Sequence, residues 1–295
     1  MKLTFLGTGA SPSMPIPFCA CQVCTIAQKT RGKNLRRRSS IMINHDLLVD
    51  IGPDIMTSCF EYQISLANIA CCLQTHFHED HFDPEMIISR HKDYGTIVST
   101  DLLVVGSIET LRMMDVIIGR RCGCGSIFDT KVQAALRIKL LTISPFETYN
   151  IGNYKVTGYP ANHGSNQGCL LYSIAQGQNI VFYGTDTAVI PEEVWNHLLR
   201  IKQQYDLIIL DHTYGIGFTS KPADHLASRD FILHVERFLQ KSLLKAGGKI
   251  YATHISHEGI MEHEELDDYA NKHHYRIAYD GLVIAFDGSG KYFRE

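Results

Sequence analysis

Long apolar runs, a surplus of positive charge and low-complexity tracts are all missing from this chain of 295 residues. No stretch approaches the roughly 18 consecutive apolar residues of a membrane-spanning helix. The opening MKLTFLGTGASPS carries one lysine and too short an apolar segment for a secretory signal. A soluble, cytoplasmic protein with no membrane partner is therefore expected. Lys and Arg number 28 against 31 Asp and Glu, a formal charge of -3. A generally basic nucleic-acid binder is excluded as a class, and nucleic acid is not an expected partner. The one basic cluster, Arg36-Arg37-Arg38, reads mostly as a solvated or acid-paired face, with contact to a substrate phosphate as the alternative. No linker or short-period repeat divides the chain, so residues 1–295 are expected to form a single domain.

Strand and helix patterns interleave along the whole length. KLTFLG, SSIMIN and DLLVDIG read as strands, and PDIMTSCFEYQ reads as a helix with Pro53 near its first turn. NIACCLQTH reads as a buried strand, and Asp83-Pro84 opens a helix to about His91. TIVST predicts a strand, DLLVVGSIETLRMMDVIIG a helix, and RRCGCGSIFDT is ambiguous. Four strands follow in RIKLLTI, NYKVTGYPA, GCLLYSI and NIVFYGTD. A helix from Pro191 to about Gln204, the strand YDLIILD, a helix at about 224–245 and the strand GKIYATH come next. A helix near 262–272 and strands ending in YDGLVIAFDG close the chain. Grouped strands with helices after each group suit an α/β (α+β) arrangement of sheets covered by helices.

Histidine is the compositional outlier at 15 residues, and LQTHFHEDHFDPE, residues 73–85, crowds three of them with three acids between His76 and Asp83. Such groups are costly to gather unless they are paired, solvated or bound to a metal. His76 and His78, two apart at a strand end, share one side. Asp80 and His81 need a loop, and a loop at the end of a buried strand is where α/β folds place ligands. Two partial metal sites side by side are expected. His163 in VTGYPANHGS, Asp186 in IVFYGTDT and His254 in KIYATHISHE each follow an apolar run and supply further donors at the same edge. Nitrogen and oxygen donors without sulfur favour Zn, Mn or Fe.

His76-x-His78-x-Asp80-His81, His163, Asp186 and His254 together resemble the metallo-β-lactamase superfamily. The resemblance implies a four-layer αββα sandwich of two mixed sheets with helices outside. It implies one divalent ion on His76, His78 and His163, another on Asp80, His81 and His254, and Asp186 between them. Asp50 in LLVDIG is similar to the superfamily aspartate that orients the ligand loop.

Four of the nine cysteines, Cys59, Cys71, Cys72 and Cys169, sit in apolar surroundings and read as small buried hydrophobes. Cys19-x-Cys21-x-x-Cys24 differs: three thiolates want a fourth ligand for a closed tetrahedral zinc, and His257, three beyond His254, is the best placed. A small structural-zinc loop at about 17–26 is expected. With the early GTGAS, Arg-Arg-x-Ser-Ser, THISHE and the closing YDGLVIAF, this set resembles one branch of the superfamily. That branch holds the phosphoribosyl 1,2-cyclic phosphate phosphodiesterases of phosphonate breakdown and the accessory B protein of pyrroloquinoline quinone biosynthesis. The implied activity is hydrolysis of a small cyclic phosphodiester by a hydroxide shared between two ions. The implied partner is a small phosphorylated substrate, and a homodimer follows by analogy. His225 in KPADHLASRDF matches a catalytic histidine outside the metal shell, and His212 in ILDHTYG competes for the same role. Asp80, already a ligand candidate, completes the catalytic set. An RNA 3′-processing nuclease and a non-hydrolytic accessory protein are the alternatives. The stretch 96–130 reads as an insertion, with Cys122 and Cys124 either a further metal pair or a mobile loop.

Overall fold

The computed structural model describes residues 1–164, 168–216, 224–259 and 261–286, and the backbone of 292–294. Lys221 to Ala223 in the stretch around His225, and Asp287 and Gly288 at the end of the closing strand, lie outside the described residues.

Two sheets stack face to face. The first uses β1 (Lys2–Gly7), β2 (Ser40–Ile43), β3 (Leu47–Val49), β4 (Cys71–Leu73), β5 (Leu102–Gly106) and β6 (Ile138–Thr142). The second uses β7 (Thr148–Ile151), β8 (Tyr154–Pro160), β9 (Leu170–Gln176), β10 (Asn179–Gly184), β11 (Tyr205–Asp211), β12 (Leu244–Thr253) and β13 (Arg276–Ile277). The chain then returns to the first sheet with β14 (Val283–Phe286) and β15 (Tyr292–Arg294). The strand orders are β15-β14-β1-β2-β3-β4-β5-β6 and β13-β12-β11-β10-β9-β8-β7.

Side-chain alternation explains the layering. Leu3 and Phe5 of β1, Val181 and Tyr183 of β10, and Leu207 and Ile209 of β11 meet in the core between the sheets. The residues between them face outward. Phe182, Ile208 and Leu210 pack under the helices Glu192–Ile201, Ser228–Gln240 and His263–Lys272, with Trp195, Phe231 and Phe238 filling that layer. Leu6 and Val104 pack on the other side with Ile55, Leu111, Met114 and Ile118. Three apolar layers between four layers of elements make the αββα sandwich that the motifs imply. No described helix is long and apolar enough to cross a membrane.

Several elements differ from the sequence reading. TIVST forms no strand: Ile97 is 91% exposed, and the place beside β4 is taken by β5, within a segment read as helical. Leu102–Gly106 is buried between two strands, and the helix begins only at Ile108, where Ser107 caps it by accepting from Thr110 N. The stretch 96–130 thus supplies an interior strand and the 15-residue helix Ile108–Cys122. Cys122 and Cys124 are joined as a disulfide there, not held apart as a metal pair. The helix after Asp83-Pro84 spans only Glu85–Ile88 and closes through the tighter bonds Arg90 N to Ile87 O and His91 N to Ile88 O. β7 has no run of apolar alternation and is an exposed edge that the pattern missed. The helix Ser228–Gln240 is shorter at both ends than read, because Asp211 holds Leu226 N ahead of it and Leu244 behind it already pairs with Tyr205.

Arg36 overturns the solvated reading of the basic run. It is 2% exposed, and its guanidinium donates to Thr8 Oγ1 (2.8 Å), Ala278 O (2.7 Å) and His263 Nδ1 (2.9 Å). Burial and the neighbouring guanidinium push the His263 ring down to about 3, so it accepts as neutral imidazole. Arg37 and Arg38 do pair with acids, at Asp280 and Asp54. Replacing Arg36 by leucine leaves three buried acceptors without donors, at about 1–3 kcal/mol each. Urea unfolding of Arg36→Leu should show a loss of about 3 kcal/mol or more at an unchanged denaturant slope.

Candidate metal centre

Parallel strands bring the polar residues to one edge. β3 and β4 run parallel, as do β10, β11 and β12, and their C-terminal ends lie where the two sheets open. Asp50 follows β3, His76, His78, Asp80 and His81 follow β4, and His163 follows β8. Asp186 follows β10, Asp211 ends β11, and His254 follows β12. Asp50 (φ 64°), Asp186 (φ 56°) and His254 (φ 58°) all occupy left-handed backbone. That conformation is uncommon for residues other than glycine and is held only where the surroundings over-determine it.

His76, His78 and His163 converge, and so do Asp80, His81, Asp186 and His254, with donor atoms in each group within 4.8 Å of one another. His163 Nε2 lies 3.0 Å from His78 Nδ1, and His81 Nε2 lies 3.2 Å from His254 Nε2. Asp186 stands between the groups. Its Oδ2 is 3.0 Å from His81 Nε2, and its Oδ1 is 3.2 Å from His254, 3.9 Å from His163 and 4.0 Å from His76. Asp80 Oδ2 is 3.3 Å from His254 Nε2.

In four of the five rings the opposite nitrogen is tied down, which aims the remaining one inward. His81 Nδ1 donates to Asp50 Oδ2 at 2.7 Å, and His163 Nδ1 to Asp224 O at 2.8 Å. His76 Nδ1 meets Thr75 Oγ1 at 3.0 Å, and that hydroxyl donates to Asp50. His254 Nδ1 meets Thr213 Oγ1 at 2.7 Å, and that hydroxyl donates to Asp211. The two ions expected from the motifs would thus meet rings fixed by the same hydroxyl-to-carboxylate relay. Gln74 ties the loop from inside, donating to Asp50 Oδ1, His76 O and His81 O. Gly52 admits the loop: a Cβ there would lie 2.5 Å from Asp80 O.

Charge and burial agree with a cation at the centre. Burial works against the Asp186 carboxylate, yet His254 and His81 hold it well below the usual carboxylate range. Burial, with His81, His163 and His78 close by, drives His76 well below an ordinary imidazole, so it stays neutral. His76 Nε2, buried and turned inward, has no hydrogen-bond partner among the described residues. A buried nitrogen lone pair facing other imidazoles and carboxylates is the environment a divalent ion satisfies. The donor set therefore fits Zn, Mn or Fe.

His225 lies beside this set. Its ring centroid is 4.8 Å from that of His163 and 5.1 Å from that of His254. Its Nδ1 meets Asp211 Oδ2 at 2.8 Å. Burial opposes protonation, but the Asp211 carboxylate outweighs it and lifts the ring to about 9. Asp211, fully buried, also accepts from Asp186 N, Thr213 N and Leu226 N. The sequence reading missed Asp211, although it closes YDLIILD as Asp186 follows IVFYGT. His212, the competing catalytic candidate, is not brought to the centre. It faces the outer helical layer, between Tyr275 OH and Ser228 Oγ at 3.2 Å each and against Phe231.

The thiol cluster assembles separately. Cys19 Sγ and Cys21 Sγ lie 3.4 and 3.5 Å from His257 Nδ1, and Cys24 N donates to Cys21 Sγ. Burial opposes ionisation of Cys21, but the Cys24 amide and the His257 ring lower it to about 6, whereas burial and its sulfur neighbours push Cys24 up to about 12. One thiolate thus forms readily and the next is resisted, a conflict that a bound zinc removes.

Asp50→Ala and Gly52→Ala should each weaken metal binding at the histidine and aspartate groups about 10- to 100-fold in a chelator competition, with the far-ultraviolet spectrum retained. Cys21→Ser should lower the zinc count by one per chain and leave the other groups loaded.

Residues 45–255 match the family model described as a beta-lactamase superfamily domain. No curated protein matches the sequence. Among solved structures, a diphosphatase from the PhnP family is similar at a TM-score of 0.73 and 22% identity, over 97% of this chain and 98% of that one. Zn(2+)-bound PqqB from Methylobacterium extorquens follows at 0.66 and 17%, over 97% and 100%. The short form of human tRNase Z reaches 0.63 and 16%, over 97% and 100%. At such identities these three speak for the fold. The family model and the converging histidines and aspartates together establish that the chain belongs to the beta-lactamase superfamily and is a metal-dependent hydrolase.

Proposed function

We propose that this hydrolase cleaves a small phosphodiester, a cyclic phosphoribosyl-type diester foremost. In this reading His76, His78 and His163 hold one divalent ion, Asp80, His81 and His254 hold a second, and Asp186 is shared. Cys19, Cys21, Cys24 and His257 hold a structural zinc. When bound, such an ion pair lowers the pKa of a water and offsets the negative charge that grows on the phosphoryl oxygens.

The observation that carries the reading is the His225–Asp211 pair, 2.8 Å apart and beside His163. A diester whose leaving group is a sugar oxygen needs a proton donor next to the phosphorus, and a metal scaffold alone does not. As the oxygen of a water that has already given up one proton to solvent bonds to phosphorus and the ester P–O bond breaks, the departing oxygen takes the proton from His225 Nε2. The Nδ1 hydrogen stays on the ring and is donated to Asp211, whose carboxylate fixes the ring and stabilises its charged form.

A second reading, cleavage of a diphosphate anhydride, is supported by the likeness to a PhnP-family diphosphatase. It uses the same residues but asks less of His225, because a phosphate leaves more readily than an alkoxide. The likeness to tRNase Z supports an RNA substrate less, since a formal charge of -3 offers little attraction to a polyanion. The likeness to PqqB keeps a non-hydrolytic role as the outcome if no ester or anhydride is turned over.

Metal-loaded protein given a ribose 1,2-cyclic phosphate, bis(p-nitrophenyl) phosphate and a nucleoside diphosphate sugar separates these readings by which is hydrolysed. His225→Ala should lose roughly 100-fold or more in kcat on the cyclic sugar phosphate. It should lose far less on the nitrophenyl ester, whose leaving group needs no proton, at an unchanged metal content. Equal losses on both substrates would remove His225 from the proton-donor role.

A further inference from the structure

Away from the metal centre, the short helix Glu85–Ile88 lies over the outer face of the first sheet, whose Leu48 and Leu102 are buried beneath that layer. A cavity of about 250 Å³ opens there. Leu48, Ile51, Ile69, Met86, Val98 and Leu102 give it apolar walls, and the exposed Ala67 also lines it. At ~30 Å³ per water-sized volume, the space suits a chain of about eight non-hydrogen atoms. Water gains little from apolar walls, so an apolar guest is the favoured occupant.

One charged side chain lines the same space. Arg90 is 7% exposed; its Nη2 donates to Thr100 O (2.8 Å) and Arg137 O (3.0 Å), and its Nε has no partner among the described residues. Burial and the nearby Arg137 both depress its pKa, a sign of a cation short of negative charge. The local acid, Asp101, is shared by Arg137 and Lys139 at 3.7 and 3.5 Å. A guanidinium with unused donor capacity beside an apolar slot is complementary to a carboxylate on a hydrocarbon chain.

We propose that this cavity binds a small single-chain amphiphile with a carboxylate head, of the medium-chain fatty-acid class, its chain against Leu48, Ile69 and Leu102 and its head on Arg90. The site stands whatever substrate the metal centre takes. Calorimetric titration of the metal-loaded protein with octanoate and octan-1-ol tests it. Octanoate should saturate one site and bind about tenfold more tightly than the alcohol, the margin of a charge-assisted hydrogen bond. Ala67→Trp, which fills the cavity from an exposed position, should abolish binding of both. Arg90→Gln should bring the two ligands to equal affinity. If Arg90→Gln does not fold, the octanoate-to-octanol ratio in the parent protein and the Ala67→Trp result decide alone. Absence of octanoate binding, equal affinity for the two ligands in the parent, or octanoate binding that survives Ala67→Trp, as a carboxylate lodged on the metal centre would, overturns the proposal.

Discussion

Asp186 puts a carboxylate, 3% exposed, between imidazoles that arrive from both sheets, and the architecture of the centre follows from keeping it charged there. Moving such an ion out of water is expensive, and the cost is offset only by close positive partners and hydrogen bonds. His81 from the first sheet and His254 from the second stand 3.0 and 3.2 Å away. Its backbone takes a left-handed turn, and the amide so exposed is held by Asp211 Oδ2 at 3.0 Å. One acid therefore positions another, and Asp211 at the same time orients His225 and, through Thr213, His254. The residues that would bind metal and the residue that would donate a proton are fixed by one buried group.

Such a cluster of like-natured groups survives only on a rigid base. β10 and β11 provide it by being apolar on both faces, Val181, Tyr183, Leu207 and Ile209 inward and Phe182, Ile208 and Leu210 outward. Strands buried on both sides cannot slip register without moving a whole apolar set. On the first sheet the same task falls to Asp50, whose oxygens accept from Thr75 N, Thr75 Oγ1, Gln74 Nε2 and His81 Nδ1. The loop 76–81 is thereby pinned at both ends without regular secondary structure of its own, which is how four donors fit within six residues.

The sequence made the donors legible because their types and spacing are rare in combination: His76-x-His78-x-Asp80-His81 admits few uses, and His163, Asp186 and His254 each close an apolar run. Three soft donors in Cys19-x-Cys21-x-x-Cys24 were legible for the same reason. The partners that orient these rings were not. Thr75, Thr213 and Gln74 are ordinary residues whose role depends on where a neighbouring strand ends, and Asp211 differs from any strand-terminal acid only by what lies across the sheet from it. Arg36 was misread because its partners, Thr8, Ala278 and His263, are contributed by the far end of the chain and by the opening turn. Local pattern sets element type; partners distant in sequence set β7, the true position of β5, and which of His225 and His212 stands beside the clustered histidines.

The segment 254–257 shows why a thiol cluster far from the chemistry belongs to the same design. His254 sits in strained left-handed backbone at φ 58°, and the next residue, Ile255, pairs with the opening turn through Ile255 N to Thr8 O (2.9 Å) and Ala10 N to Ile255 O (3.1 Å). Ser256 N reaches Thr213 O, in the residue whose hydroxyl meets His254, and His257 ends among the three cysteines. The opening turn is itself held by Arg36 through Thr8 and by Ser39 through Gly9 O. A strained residue keeps its conformation only while its flanks are over-determined. Here one flank is the buried C-terminal end of strand β12, and the other is a three-residue clamp, Ile255 to His257, that ends among the thiols of Cys19, Cys21 and Cys24. The thiol cluster and His254 are thus held by one short stretch of chain, so the contacts that fix Ile255 and Ser256 also fix the backbone from which His254 presents its nitrogen.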